Sequence, residues 1–383
     1  MREPEVVIAG CGVICAVGCG VEPLLAALQN NAIGLRASEK FNEARFQSNI
    51  VGAASRSFDI DDPAWFLAVE ALQQACIAAG KTLATIPAER IGLVLSTTKA
   101  NIEALERVSD NRSCSDEAKR HLRADLFAAD LAAAHGALGP VQTASVACVS
   151  GLVAISQGAK LIQRGAADAV LVVGVDCLSE FVVSGFTALK ALDPQGCSPF
   201  DRDRCGLSPG EAGAALVLMR ADLFAQPAIA IRAFGGSNDA NHLTGPSRDG
   251  SGLALAIRAA LHAVKMSPAE IDFVHAHGTG TGYNDAMESL ALKTIFGDAC
   301  PPVSGSKGML GHTLGAAGVL ETICCVLAMQ HNFLPGTPRL LNAAEGTPPD
   351  LVREPRPGIR LENVLKLNTG FGGMNGALIL SHV

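Results

Sequence analysis

The chain has 383 residues, of which 49% are hydrophobic and 17% charged, so it is long enough for two domains or one large double core. Its formal net charge of −7 argues against a general nucleic-acid-binding protein. No uninterrupted apolar run reaches the length of a membrane span, and the first apolar run is too short and too soon broken by glycine to resemble a signal peptide.

The first half alternates between strands and helices. Hydrophobic periodicity predicts strands at residues 6–9, 91–96, 167–175 and 214–219 and helices at residues 22–29, 65–79, 152–162 and 184–192. Residues 35–62 are polar and irregular, and residues 99–136 are charged with a helical pattern. Alternation of this kind indicates an α/β fold with covered sheets.

The same plan starts again after about residue 226. Strands are predicted at residues 229–233, 271–276, 364–367 and 376–381, and helices at residues 253–264, 285–296 and 315–330. Residues 87–89 and 268–270 both read Pro-Ala-Glu, and each triplet follows an amphipathic helix and begins a strand. This weak self-similarity indicates an internal duplication.

The twelve cysteines lack the repeated spacing of a disulfide framework. Unpaired cysteines in a chain of this size are typical of the reducing cytoplasm, where we expect the protein to reside. Cys11, Cys15 and Cys19 are spaced four apart, but no histidine lies near them, so we expect no metal site there.

A strand, a sharp turn and a helix are predicted around Cys148. Pro140 and the apolar run that ends at Val146 favour a buried strand, and apolar residues from Leu152 to Ile162 follow helical spacing. Cys148 therefore lies near the free N–H groups of the first helical turn. Because the helix dipole favours an anion there, we expect the thiol to ionise more easily than an ordinary cysteine. A single cysteine is more often buried and inert, so its assignment as a nucleophile depends on its partners.

Two stretches of the second half place imidazoles beside glycines. Residues 275–281, His-Ala-His-Gly-Thr-Gly-Thr, put an imidazole at the carboxyl end of a strand, where α/β proteins build their sites. Residues 304–318 put Lys307 and His312 on a glycine-rich loop. Glu321 follows in an apolar helix, where an unpaired carboxylate would be costly, so we expect it to bond to this loop.

A third stretch is a glycine-rich turn. Residues 368–375, Asn-Thr-Gly-Phe-Gly-Gly-Met-Asn, carry one aromatic side chain, Phe371. A single histidine is usually structural, a loop lysine is usually solvated, and such turns usually only reverse the chain. Each of these ordinary explanations is adequate for one stretch, but together they account poorly for three such stretches in a chain that also carries Cys148.

With these motifs the chain resembles the type I/II β-ketoacyl–acyl-carrier-protein synthases of the thiolase superfamily, the condensing enzymes of fatty-acid and polyketide synthesis. The resemblance covers almost the entire chain, and its most specific motifs are residues 147–151, 277–281, 307–318 and 370–373. Two histidines distinguish this class from its initiating relatives, which use a Cys-His-Asn set, and from thiolases, which use a second cysteine.

The resemblance implies a duplicated, five-layered α-β-α-β-α core with two five-stranded sheets between helical layers. Residues 1–225 would form the half that carries the nucleophile, and residues 226–383 the half that carries His277, Lys307 and His312. It also implies a homodimer, or a heterodimer with a related subunit, and no metal or organic cofactor.

The implied reaction is a decarboxylative Claisen condensation. Cys148 would take an acyl chain from the phosphopantetheine arm of a carrier protein, and the N–H groups of Cys148 and Phe371 would form the oxyanion hole. His277 and His312 would assist decarboxylation of malonyl-carrier protein, and the carbanion would attack the thioester. Lys307 would position its loop and add positive charge.

Further roles follow from the same resemblance. The substrate and its pantetheine arm would bind at Thr279, Thr281, Phe186 and Phe371. Glu321 and Asp285 would support the site. The acidic carrier protein would dock on basic residues at the tunnel mouth, which are Lys119, Arg120 and Lys190.

Three departures from the family pattern weaken a housekeeping role in fatty-acid elongation. Residues 204–211 read Arg-Cys-Gly-Leu-Ser-Pro-Gly-Glu where relatives usually carry Arg-Asp-Gly-Phe-Val. Residues 121–127 read His-Leu-Arg-Ala-Asp-Leu-Phe where relatives are apolar and rich in Pro and Phe. The chain is also somewhat short. A dedicated pathway such as polyene, polyketide or unusual lipid synthesis is therefore an alternative.

Two other functions stay open at this point. A non-elongating partner subunit, like the chain-length factors, would share the fold but typically lacks the cysteine that this chain keeps at position 148. An acyltransferase or thiol hydrolase would share the nucleophile, but two histidines favour decarboxylation. Release of carbon dioxide from malonyl-carrier protein distinguishes these functions.

Overall fold

The computed structural model describes residues 4–41, 44–55, 60–226 and 228–383. Parts of the irregular stretch predicted at residues 35–62, namely 42–43 and 56–59, lie outside the described residues. The strands of the described part are β1 (Val6–Cys15), β2 (Gly18–Cys19), β3 (Arg36–Ala37), β4 (Ile50–Val51), β5 (Ile91–Ser96), β6 (Val141–Ala144), β7 (Ala169–Asp176), β8 (Ala212–Arg220), β9 (Ile229–Asn238), β10 (Phe273–His275), β11 (Val303–Ser304), β12 (Phe333–Leu334), β13 (Arg356–Pro357), β14 (Asn363–Gly370) and β15 (Met374–His382).

Helices connect and cover these strands. They are α1 (Val21–Gln29), α2 (Pro63–Ala84), α3 (Ile102–Ser109), α4 (Asp116–Arg120), α5 (Ala124–Ala134), α6 (Ser150–Gln163), α7 (Glu180–Ala188), α8 (Ser251–Val264), α9 (Gly282–Phe296), α10 (Lys307–Leu310) and α11 (Ala317–Gln330). Within the described ranges, no helix combines the length and the apolarity that a membrane span requires.

Ten strands form two five-stranded sheets of identical topology. The first sheet has the order β6-β5-β7-β8-β1 and the second the order β11-β10-β14-β15-β9. In both sheets the middle strand is parallel to its neighbour on one side and antiparallel to its neighbour on the other. A short pairing of β1 with β9 joins the two sheets. The repeated order confirms the predicted internal duplication.

Five layers result from this arrangement. Helices α6 and α11 lie between the sheets and touch through glycine: a Cβ added at Gly151 would lie 2.6 Å from the Cα of Gly318. Helix α2 packs on the outer face of the first sheet at Gly12, and α8 packs on the outer face of the second sheet at Gly235. Apolar clusters fill the space between the sheets and beneath each outer helical layer. The α/β fold with five layers is therefore confirmed.

Some predicted elements differ from the observed ones. Residues 140–146 do not form a buried strand, because β6 is an edge strand in which Val141, Gln142 and Thr143 are exposed. Periodicity reports apolar character, not whether a strand has one neighbour or two. The helix predicted at residues 184–192 begins and ends four residues earlier, as α7, because the Ser179 side chain caps it by accepting the Val182 N–H.

The charged segment at residues 99–136, which precedes the nucleophile, forms three short helices, α3 to α5, and not one continuous helix. His121, between α4 and α5, is fully buried and stacks between Trp65 and Phe127, with ring centroids 4.8 and 5.0 Å away. Its Nδ1 lies 2.5 Å from Asp62 and its Nε2 lies 3.2 Å from Asp130. Burial disfavours the charged ring, but the two carboxylates outweigh it and raise the pKa of His121.

We expect the free energy of unfolding to fall as the pH rises past the ordinary pKa of histidine. Because the folded pKa of His121 is above the unfolded value of about 6.5, the stabilisation is complete below that pH and is lost as the pH rises through the folded pKa. His121→Gln should remove this contribution, which amounts to about 1.4 kcal/mol for each unit of pKa elevation. Urea unfolding of both proteins between about pH 5 and pH 9 measures it. Parallel stability curves would show that His121 carries no such linkage.

Candidate active site

Cys148 lies on a tight bend between β6 and the first residue of α6, Ser150. Ala147 adopts a left-handed backbone conformation with a φ of 46°, which is strained for a residue with a Cβ. Ser150 holds this bend, because its Oγ accepts from the Val146 N–H at 2.7 Å and donates to the Ala147 carbonyl at 2.6 Å. The bend places the thiol on the wall of a cavity.

The thiol of Cys148 is protonated in the free protein. Burial raises its pKa to about 12, although the positive charge of Lys307 and a hydrogen bond from the Phe371 backbone N–H act to lower it. The expectation of an easily ionised thiol is therefore wrong for this state, since loss of water around a thiolate outweighs the favourable contacts. The proton has to leave the sulfur during the reaction.

Two histidines from the second half of the chain lie beside this thiol. Nε2 of His312 is 3.0 Å from Sγ of Cys148, and the rings of His277 and His312 are nearly perpendicular with centroids 5.2 Å apart. Nδ1 of His312 accepts the Leu314 N–H at 3.3 Å, and Nδ1 of His277 accepts from the Asn368 amide at 2.9 Å. In the neutral rings these contacts assign the proton to Nε2, so both can donate Nε2–H bonds to a substrate.

Both rings are neutral at physiological pH. Burial, reinforced by the charge of Lys307, lowers the pKa of His312 to about 3 and that of His277 well below its usual value. Ligand atoms of Cys148, His277 and His312 lie within 4.8 Å of one another, a spacing that could hold a metal ion. The ammonium of Lys307 beside them disfavours a second cation, so the cluster fits a nucleophile with two neutral donors better than a metal centre.

Lys307 supports His277 from the first turn of α10. Its Nζ lies 2.5 Å from the His277 carbonyl, 3.2 Å from Nδ1 of that ring and 2.5 Å from Oε1 of Glu321. The other carboxylate oxygen of Glu321 accepts from Asn368 at 3.0 Å and lies 2.9 Å from Nζ of Lys366. Burial opposes ionisation, but the charges of the two lysines lower the pKa of Glu321 below its usual range. The predicted bond between Glu321 and the loop is confirmed.

Helix α9 holds the backbone that follows His277. Glu288 accepts the N–H groups of His277 at 2.6 Å and Gly278 at 2.9 Å. Asp285, which is predicted to support the site, accepts the Thr279 N–H at 3.0 Å. Burial raises the pKa of Glu288 to about 7. Two carboxyl groups of α9 thus hold the backbone of residues 277–279.

A cavity of about 760 Å³ is bordered by the thiol and both imidazoles. The four residues predicted to contact substrate or pantetheine, Thr279, Thr281, Phe186 and Phe371, also line it. The hydroxyls of Thr279 and Thr281 are 2.9 Å apart, and the rings of Phe186 and Phe371 are 6.1 Å apart. The cavity therefore offers both polar and aromatic contacts to a ligand.

Phe371 lies at the turn between β14 and β15 and is 39% exposed. Gly372 and Gly373 follow it with φ values of 80° and 74°, a region that glycine adopts readily. The Phe371 backbone N–H acts to lower the pKa of Cys148, so this predicted oxyanion-hole donor lies near the sulfur.

The three predicted docking residues have different surroundings. Lys190 is exposed and lines the cavity. Lys119 and Arg120 do not line it, and they pair with Asp116 at 3.1 Å and Asp130 at 2.7 Å. Lys190 is thus the basic residue of the three that lies at the cavity.

Sequence reasoning missed several residues that shape the site, which are Ser150, Glu288, Lys366 and Asn368. Lys366 offered a signal, since a lysine within an otherwise apolar strand needs a buried partner. Glu288 lies three residues after Asp285, on the same face of a helix, which also could have been noticed. Ser150 and Asn368 act through contacts that no spacing reveals.

Two protein-family models match this chain. Residues 4–223 match the family model of the beta-ketoacyl synthase N-terminal domain, and residues 229–340 match that of the C-terminal domain.

Individual relatives match along their full length. The chain is 32% identical to the tetracenomycin polyketide synthase ketoacyl synthase alpha subunit of Streptomyces glaucescens, over 99% of this chain and 97% of that protein. It is 30% identical to 3-oxoacyl-[acyl-carrier-protein] synthase 2 of Coxiella burnetii, over 100% of both chains. Among solved structures, the ishigamide ketosynthase/chain length factor superposes with a TM-score of 0.91 at 30% identity, over 99% of each chain.

Proposed function

The chain belongs to the β-ketoacyl synthase family, and from this premise we propose that it condenses an acyl group on Cys148 with malonyl-acyl-carrier protein. The reaction is decarboxylative and yields β-ketoacyl-acyl-carrier protein, in fatty-acid or polyketide synthesis. One observation carries the proposal: a thiol and two neutral imidazoles lie within 4.8 Å of one another on the wall of a cavity.

Acyl transfer to Cys148 is the first step. The sulfur attacks the carbonyl carbon of the acyl thioester, and the N–H groups of Cys148 and Phe371 stabilise the oxyanion. The Nε2–H of His312, 3.0 Å from the sulfur, stabilises the negative charge that develops as the thiol loses its proton. That proton ends on the pantetheine sulfur, which leaves as the carrier thiol, so the step consumes none.

Decarboxylation of the malonyl group is the second step. The bond between the α-carbon and the carboxylate breaks, carbon dioxide leaves, and the electron pair remains as an enolate on the thioester. The Nε2–H groups of His277 and His312 donate to its oxygen. Neutral donors suit this task, because they stabilise the enolate without protonating it.

Carbon–carbon bond formation completes the cycle. The enolate carbon attacks the acyl carbonyl on Cys148, and the new oxyanion occupies the same N–H pair as before. Collapse expels the cysteine sulfur, which takes up one proton from solvent. The balance is one proton consumed and one carbon dioxide released for each β-ketoacyl product.

Carbon dioxide release and intact mass together test the function. The protein should gain the mass of an acyl group on Cys148 when mixed with acyl-carrier protein, and should then release carbon dioxide and β-ketoacyl product when malonyl-carrier protein is added.

Docking is separated from chemistry by Lys190→Glu, which should slow acylation by the acidic carrier protein but not by a small acyl thioester.

The matched control for docking is Lys119→Glu/Arg120→Glu. Because Asp116 and Asp130 already neutralise these two side chains, their reversal should slow carrier-dependent acylation less than Lys190→Glu does. Acylation without any carbon dioxide release would instead identify an acyltransferase or thiol hydrolase.

We also propose a dimer, formed with a second copy or with a related subunit. In the part of the chain that the structure describes, β6 is an edge strand whose outer backbone groups have no partner strand, and Leu138 and Val141 nearby are 64% and 40% exposed. Sedimentation equilibrium of the chain alone decides between the two, since a monomer would require a non-identical partner.

The division of the chain and its location are proposals as well. The chain divides into two halves, residues 1–225 and 226–383, because each half contributes one of the two sheets. The site lies between the halves. All twelve cysteines lie in the described residues and are free thiols, which supports a cytoplasmic location. Fractionation of the producing cells checks the location.

A further inference from the structure

Lys366 is a second ammonium group buried next to the reaction centre. It lies within β14 and is completely buried, along with Lys307. Its Nζ lies 2.9 Å from Oε2 of Glu321 and donates to the carbonyl of Leu367. Burying an ammonium group is costly even when it is paired, so its presence in an apolar strand requires an explanation.

The charges of this buried cluster do not cancel. Among the three groups in direct contact, Lys307 and Lys366 supply two positive charges and Glu321 supplies one negative charge, so one positive charge is in surplus within this triad. Lys307 with Glu321 alone would be a neutral pair. This surplus charge is adjacent to His277, because Lys307 is bonded directly to the His277 ring. A surplus positive charge there stabilises the negative charge that decarboxylation creates.

Lys366 also determines how Glu321 is held. Each oxygen of this carboxylate has its own partner: Oε1 faces Lys307, and Oε2 faces Lys366 and Asn368. The Asn368 amide bridges Oε2 to Nδ1 of His277. Anchoring Oε2 therefore orients both groups that hold the His277 ring.

We propose that Lys366 is a positioning residue whose ammonium anchors Glu321 and supplies the surplus positive charge that stabilises the enolate. The inference rests on the proposed function, because the enolate arises in the decarboxylation step. Lys366 touches neither the cavity nor the thiol and acts through Glu321 and its partners.

The same charge affects the imidazoles. Burial and the charge of Lys307 lower the pKa of His277 and of His312 most, and the charge of Lys366 lowers both pKa values further. Removing the ammonium should therefore make both rings easier to protonate, and a protonated ring would quench the enolate.

The first experiment separates the two half-reactions in Lys366→Met and Lys366→Gln. Carbon dioxide release from malonyl-carrier protein should fall roughly ten- to a hundredfold in kcat with little change in KM, whereas acylation of Cys148 should change by less than about threefold. Lys366→Gln keeps an N–H donor for Glu321 without the charge, so it stays informative if Lys366→Met does not fold. Lys160→Met, at an exposed lysine of α6, is the matched control and should alter neither step.

The second readout is the pH profile of carbon dioxide release. Loss of the ammonium raises the pKa of the imidazoles, so the acidic limb of the profile should move to higher pH in both variants. The titratable groups that interact with the charge of Lys366 are Glu321, Cys324 and Cys325 of α11, Glu288 of α9, His275 of β10, Lys307 of α10, and the two imidazoles themselves, His277 and His312. A role in stability alone would lower the rate at every pH and leave the limb in place.

The outcomes are distinguishable. A wild-type protein that releases no carbon dioxide refutes the proposed function itself. An active wild type with folded variants that match it in rate, or that lose both half-reactions equally, overturns the role of Lys366 alone.

Discussion

Cys148→Gln is expected to abolish condensation, by roughly 10⁴-fold or more, while decarboxylation of malonyl-carrier protein continues at the wild-type rate or faster. The glutamine side chain has no nucleophile, but its carbonyl can occupy the N–H pair of Cys148 and Phe371 as the acyl thioester does. Because His277 and His312 are untouched, the malonyl site remains complete. Carbon dioxide release and product mass measure the two activities separately.

The control for this experiment is a second thiol on the same cavity. Cys205 lines it too and is exposed, so Cys205→Ala should retain condensation and still carry its acyl group on Cys148. Peptide mapping that places the acyl group on another cysteine would refute the assignment of the nucleophile. Condensation by Cys148→Gln would refute it as well.

The two histidine variants are expected to differ from one another. His277→Ala should lower carbon dioxide release by roughly 10²- to 10³-fold and leave acylation of Cys148 nearly unchanged, since this ring is held by Lys307 and Asn368 whereas the ring in contact with the sulfur is that of His312. His312→Ala should impair both steps, because its Nε2 lies 3.0 Å from Sγ. Single-turnover acylation and carbon dioxide release are measured for each.

His331→Ala serves as the control, since this exposed histidine follows α11 and lies outside the cavity. It should change neither rate. If His277→Ala and His312→Ala lost acylation to the same extent, the division of labour between the rings would be wrong, and both would have to act on the thiol.

Periodicity predicted most helices and strands because each has one apolar face or is wholly buried. Periodicity gave wrong predictions where the burial of an element depends on which other elements pack against it. The apolar run before Cys148 predicted a buried strand, but among the described residues β6 has a neighbouring strand on one side only, and it exposes three residues. The segment at residues 99–136 is helical in pattern, yet the burial of His121 between two aromatic rings depends on α2, which lies far away in the sequence.

Residue type and spacing identified the reacting groups more reliably than their state. A cysteine at a strand–helix junction, histidines in two glycine-rich stretches and a lysine before an apolar helix were all apparent from the sequence, and the structure brings them together. The pKa of Cys148 was expected in the wrong direction, because the helix dipole can be anticipated from local sequence whereas the burial of the thiol cannot.

The sequence by itself determined the duplicated α/β architecture and the side chains that carry the chemistry, because periodicity and residue type are local properties. Only the tertiary structure decided the electrostatics of the site. Lys366, Glu321 and Lys307 come from three separate elements, and their charges act on one another only because folding removes water between groups less than 3 Å apart. Burial and distance determine protonation, and both exist only in the folded chain.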